Sequence, residues 1–469
     1  MSCAAPACWT PSTWTWPPTP PASPTRRPPA GSSNGPWSPS IPARSGRTTC
    51  TAPSAPRCAP TTTTPRTAGH PPTGNEAAKR ALAALGRQWQ DAGAPVPARP
   101  LLVACLRQGL SLARDHHLDD LAWLTDAAFA YTDDSVWEPL APPTPPATPG
   151  AGQQPEQDTP ADALAELLDA IARRQHEHRA RTAERLTTVL ATGLLSGRLT
   201  GLALYYRAKA HKDLGRSADA LDGMRQVAEK DGRLAPRARR GMANLARIRG
   251  DFPAALAAVP GLGWRGRHYR VLGDVHWPQA DFDNAITAFE HARAEAEQHN
   301  AAGERAIAQT RLALATAFAD PERADNELAL ARQLLEPLDQ RATTLLAQVA
   351  GLVRDAGTNR DVPDRATLLR THIDVAGLAW LTPLLETALA FHHAVQTDHD
   401  GLTAAIDRLR EATANGDYTY LLHIAAAMGG LPQPTSPAIQ WLDDAHTVRT
   451  RWHTLVTARR HHLNGPTAG

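Results

Sequence analysis

Nine arginines and a single acid, Asp251, fall between residues 233 and 270. A guanidinium is a planar fork of N–H donors that grips carboxylate or phosphate through paired, charge-assisted hydrogen bonds. The chemistry open to this stretch is therefore anion recognition. Arg237, Arg240, Asn244 and Arg247 follow one another at intervals of three, four and three, which places them on one side of a helix. The opposing reading is a solvated, arginine-rich face in which Arg270 and Asp274 form an ordinary i,i+4 ion pair.

Other chemistry finds weaker footing. The stretch ARSGRTT at 43–49 lacks the earlier glycine of a phosphate-binding loop. GLSLA at 109–113 is one residue from a nucleophile elbow, but that elbow needs a strand-to-helix turn and Ser111 reads as mid-helix. His176 and His178 lie about 200° apart around a helix and cannot share a metal. His392, His393 and His399 with Asp398 and Asp400 form the densest ligand-type cluster, yet lack the two-turn repetition of a metal site. Asp119-Asp120 and Asp443-Asp444 read as caps and solvated faces, and Arg459 to His462 suit a helix C-terminus. No catalytic residue, cofactor or metal is expected.

The elements that must carry the arginines are helices. Residues 1–74 contain no Leu, Val, Asp, Glu, Lys, Phe or Tyr and offer almost nothing to bury, so disorder is expected there. This composition fits either a low-complexity tail or an out-of-frame translation. Four of the five cysteines fall in this tail without metal-site spacing, which fits a reducing, cytoplasmic setting. Removing the tail's six arginines from 49 basic against 47 acidic residues leaves 43 against 47, so net charge gives no nucleic-acid signal. No apolar run is long enough to span a membrane. Apolar residues three and four apart predict a helical segment over 75–138, a Pro-rich linker over 139–161, and helices again over 162–465. The class is all-α.

Within the last segment a pattern recurs. Ala208, Gly215, Ala220 and Met224 in the first copy correspond to Met242-Ala243, Gly250, Phe252 and Ala255 in the second. The third copy carries Leu272-Gly273, Ala280, Phe282, Ala285 and Phe289. Gly215 to Gly250 is 35 residues and Gly250 to Ala280 is 30. A period near 34 with small residues in both helices and an aromatic at the turn resembles the tetratricopeptide repeat. The clear copies cover about 201–296. RLALATAFADPERADNELALARQLL and ALAFHHAVQTDHDGLTAAIDRLREA are weaker, without the turn glycine and aromatic. The resemblance implies helical hairpins stacked into an elongated superhelical solenoid, each packing on its neighbour.

It also implies a use. In this family the first helix of each hairpin lines a concave groove, so Tyr205, Lys209 and Lys212 from the first copy and Arg267, Arg270 and Trp277 from the third would join Arg237, Arg240, Asn244 and Arg247. Arg240 with Asn244 is similar to the pair by which some members clamp a peptide's terminal carboxylate. The expected function is a non-catalytic scaffold for a protein or peptide partner, acidic in character, serving as a sensor or regulatory arm. LYYRAKAHKDLGRSADAL and GERAIAQTRLALATAFAD also resemble the C-terminal repeat arms of actinobacterial-type STAND signalling NTPases, whose P-loop module would lie upstream. Nucleic-acid binding through the arginines is the weaker alternative, since no recognition module or stacking platform accompanies them.

Overall fold

The structure, a computed structural model, describes residues 74–91, 99–133, 159–230, 232–358, 360–435 and 439–465. The tail before Gly74 and residues 139–158 of the Pro-rich stretch lie outside the described residues. The described residues form, in chain order, α1 (Gly74–Asp91), α2 (Arg99–Asp115), α3 (Ala122–Asp133), α4 (Pro160–Arg173), α5 (Arg179–Ala191), α6 (Gly197–Asp213), α7 (Ser217–Glu229), α8 (Ala235–Ile248), α9 (Phe252–Ala257) and α10 (Arg265–His276). Then come α11 (Phe282–Gln298), α12 (Ala302–Ala319), α13 (Pro321–Leu335), α14 (Arg341–Arg354), α15 (Val362–Ala376), α16 (Thr382–Gln396), α17 (His399–Ala412), α18 (Thr419–Met428) and α19 (Ala445–Asn464). Among the described residues there is no β-strand, only an isolated bridge between Asp251 and Gln440. The class is all-α, and the architecture is a stack of tetratricopeptide-like helical hairpins. No described helix is long and apolar enough to cross a membrane.

The three clear copies share one turn. Gly215, Gly250 and Ala280 all take left-handed backbone, with φ of 75°, 77° and 53°. The next amide closes the preceding helix each time, from Arg216 to His211 O at 2.9 Å, Asp251 to Ala246 O at 2.9 Å and Asp281 to His276 O at 3.3 Å. This is the glycine-type helix stop, and the third copy makes it with alanine. The weaker copies solve the same turn differently. Thr397 takes the left-handed position before α17. At Asp320 the side chain caps α13, accepting from Arg323 N at 3.0 Å, with Pro321 following.

Small residues set the approach within a hairpin. A Cβ on Gly273 of α10 would meet the Phe289 ring of α11 at 2.5 Å, and one on Gly223 would meet Ala208 at 2.9 Å. Ala285 is fully buried on the same face of α11. Ala285→Leu should therefore cost about 1–3 kcal/mol through overpacking, read as a lower urea midpoint at unchanged slope. An unaltered midpoint would mean that α10 and α11 do not pack this way.

Besides the packing of neighbouring hairpins, bonds between elements distant in the chain brace the stack. The turn before α18 folds back onto α6–α8, residues some 170–200 positions earlier. Asn415 Nδ2 donates to Gly215 O at 3.0 Å, Ser217 donates to the Asp417 carboxylate, and Tyr418 N donates to Ile248 O at 2.7 Å. The segment before α19, and α19 itself, then run across the turns of successive hairpins. Gln440 N donates to Gly250 O at 2.9 Å, Trp452 Nε1 to Pro278 O at 2.9 Å, Arg459 to Phe318 O at 3.1 Å and Arg354 O at 3.2 Å, and Arg460 Nε to Ala394 O at 3.0 Å. Those carbonyls sit at or near helix C-terminal ends, where acceptors are left over and cations are favoured. At the other end α2 packs on α3 and α4, with Arg114 Nε 2.7 Å from Asp162. One apolar core runs from Ala78 to Val456.

Candidate functional site: a basic cavity inside the helical array

Helices from both halves of the array line an open cavity of about 1030 Å³. Its walls come from α1, α3, the α4–α5 turn, α6, α8, α10, the start of α12, α14 and the turn before α16. Eight arginines (Arg174, Arg179, Arg233, Arg237, Arg240, Arg267, Arg270 and Arg311) and Lys209 line it, against two carboxylates, Asp213 and Glu304.

The first charge cluster belongs to α8 and α10. Arg237 and Arg240 on α8, with Arg267 and Arg270 on α10, surround Glu304 in the first turn of α12. Arg270 is 3% exposed and forms an ion pair with Glu304. Burial alone would raise the Glu304 pKa, but Arg270, Arg240, Arg267 and Arg237 outweigh it and bring it to about 2. Burial, and then Arg240, lowers Arg270 to about 10. The Arg267 guanidinium lies 5.7 Å over the Trp264 ring. Asp274 pairs with Arg311 of α12. The i,i+4 pair between Arg270 and Asp274 is thus replaced by two bridges from α10 to α12, because α12 packs close enough to offer each group a better-placed partner.

The second cluster belongs to α5 and α6. Arg179, 2% exposed, donates from Nε to Asp213 at 3.1 Å. Lys212 Nζ holds the same carboxylate at 2.6 Å and lies 4.8 Å over the Trp380 ring. Burial would raise Asp213, yet Lys212 and Arg179 hold it below the usual carboxylate range. Lys209 lies over the rings of Tyr205 and Tyr206.

Buried N–H groups on this lining, among them Arg179 Nη1, Arg270 Nη2, Arg311 Nε, Trp264 Nε1 and Trp380 Nε1, have no hydrogen-bond acceptor among the described residues. A buried donor left unsatisfied costs about 1–3 kcal/mol. Oxygen atoms of a bound anion would satisfy such donors and offset the surplus positive charge.

Six of the ten residues expected at a groove line this cavity: Tyr205, Lys209, Arg237, Arg240, Arg267 and Arg270. Lys212 sits behind it, against Trp380. Asn244, Arg247 and Trp277 are elsewhere. Arg247 lies seven residues past Arg240, about 10 Å further along α8, where α18 docks. Its guanidinium bonds to Tyr420 OH at 2.6 Å and to Asn244 Oδ1 at 3.0 Å. Asn244 accepts these bonds through its oxygen and does not line the cavity, whereas Arg240 does, so the two residues suggested as a clamp do not meet there. Trp277 is buried among Phe318 and Trp452 under α19. The arginines are not a plain solvated face either, since Arg247 and Arg270 are buried.

Arg179, Glu304, Arg311, Trp264 and Trp380 were not singled out by spacing. Glu304 and Arg311 do stand seven apart on α12, the spacing of Arg267 and Asp274 on α10, but α12 lies in a copy without the turn glycine. The histidine cluster is structural. His392 is buried and its Nδ1 lies 3.2 Å from the Gly357 amide, and burial, with His393 beside it, lowers its pKa to about 4. His393 Nδ1 lies 2.8 Å from Asp398. Among the described residues no group of three or more His, Cys, Asp and Glu is placed to hold a metal.

Neither a protein-family model nor a curated protein sequence matches the chain. Among solved structures it is similar to one described as the crystal structure of Rap protein complexed with competence and sporulation factor. The identity is 11% and the TM-score 0.47, over 72% of this chain and 94% of that one.

Proposed function

We propose that residues 74–465 form a non-catalytic recognition domain that holds an acidic segment of a protein or peptide partner in the basic cavity. The observation that carries this reading is the set of buried donors on Arg179, Arg270, Arg311, Trp264 and Trp380 that have no acceptor among the described residues, within a lining of eight arginines, Lys209 and two carboxylates. The concave lining, drawn from helices far apart in sequence, suits a short segment received between helices. A ligand there would touch α1 and α14 together, elements far apart in sequence, and would couple them. That supports a sensing or regulatory arm, in a cytoplasmic setting. The wider reading as the arm of a STAND-type NTPase is carried as a proposal for the domain's context, and a P-loop module in another frame of the upstream DNA would support it.

The test is a titration of the full chain with a fluorescein-labelled oligoglutamate peptide, followed by anisotropy. Saturable binding is expected, weakening at least about tenfold towards 1 M salt, where the Debye length is about 3 Å. An oligolysine peptide should not bind. Equal binding of both peptides, or none of either, would contradict the proposal.

A further inference from the structure

The chain has four lysines, and they differ sharply in what holds them. Lys79 pairs with Glu76 at 3.3 Å on the surface, Lys230 is exposed, and Lys212 grips Asp213 at 2.6 Å. Only Lys209 lines the cavity. Its Nζ lies 5.6 Å and 5.3 Å from the ring centroids of Tyr205 and Tyr206, with no hydrogen bond or carboxylate pair among the described residues. Burial, followed by the Arg174 and Arg240 guanidiniums, holds this amine well below the ordinary lysine range. Desolvation beside other cations is the setting that turns lysine from a charged surface group into a nucleophile. Arg240 acts on both Lys209 and Arg270 and has no hydrogen bond or ion pair of its own among the described residues.

We propose that Lys209 is a covalent capture site for a small phosphate-bearing aldehyde, whose phosphate is taken by Arg240 with the buried guanidiniums of Arg179 and Arg270. The neutral amine attacks the aldehyde carbon, forming a C–N bond as the C=O π pair moves to oxygen. The two amine protons pass through solvent to the carbinolamine oxygen, which leaves as water while the nitrogen pair closes the C=N bond of a Schiff base. Nothing is oxidised or reduced. Phosphate suits the arginines because guanidinium matches its oxygens in pairs, and the neighbouring cations keep the free amine available.

Pyridoxal 5′-phosphate serves as the probe. It is added to the full chain in sub-stoichiometric amount, trapped with borohydride and mapped by peptide mass spectrometry. Lys209 should carry the label at least about tenfold ahead of Lys212, Lys79 and Lys230, as expected for an activated amine. Pyridoxal, which lacks the phosphate, should label it at least about tenfold more slowly, because the charge-assisted contacts are lost. Label spread evenly over the lysines, or concentrated on exposed Lys79 and Lys230, would overturn the proposal. Equal labelling by both probes would overturn the phosphate contact. The readout is a mass on the unaltered protein, so it stands or falls separately from the acidic-partner reading.

Discussion

Trp452→Ala is expected to destabilise the domain by about 3–5 kcal/mol, the range for removing a large buried aromatic. The side chain is 0% exposed. Its ring meets Phe318 at 5.2 Å, Phe282 at 5.5 Å and Trp277 at 6.4 Å, so one indole joins the turns of two successive hairpins to α19. Truncation also leaves Pro278 O, which accepts from Nε1 at 2.9 Å, without its partner. Because α19 carries Arg459 and Arg460 onto the ends of later hairpins, loosening it at Trp452 should weaken those contacts too. Urea unfolding followed by circular dichroism gives the number. Leu368→Ala, at a position 60% exposed, should change stability by less than about 0.5 kcal/mol. A Trp452→Ala loss as small as that control would show that α19 does not brace the array.

The hairpins themselves are legible in the sequence, and their assembly is not. Gly273 facing Phe289, buried Ala285 and the left-handed Gly215, Gly250 and Ala280 are local features, fixed by residues within about one repeat of each other. The closure of the stack rests on Ser217 with Asp417, Asn415 with Gly215 O and Arg247 with Tyr420. These pairs carry no periodic signal, because each is one hydrogen bond between loops or helix ends far apart in the chain. The same gap explains the site. Helical spacing alone brings Arg237, Arg240, Arg267 and Arg270 to one wall. The places of Arg179, Glu304, Arg311 and Trp380 around them depend on how α5, α12 and the turn before α16 pack against these helices. Packing likewise turns Arg270 towards Glu304 rather than Asp274, and draws Arg247 and Trp277 beneath α18 and α19.

The central claim is that the cavity's surplus of positive charge recognises an acidic partner, and Arg240→Glu tests it most directly. Arg240 lines the cavity, acts electrostatically on Lys209, Arg267, Arg270 and Glu304, and has no ion pair of its own to lose. Reversal removes a charge-assisted donor and sets a like charge beside the ligand, which should cost about 2–5 kcal/mol of affinity, or roughly 30-fold to several thousand-fold. The fold should hold, since the new carboxylate stands near Arg267 and Arg270, whose positive charges offset its repulsion from Glu304. Arg410→Glu is the control: Arg410 has 60% side-chain exposure and pairs with Asp407. Both variants and the wild type are titrated with the labelled oligoglutamate peptide at one fixed salt concentration. The account predicts wild-type affinity for Arg410→Glu and a loss of at least about 30-fold for Arg240→Glu. Equal losses in the two variants, or none in either, would contradict it.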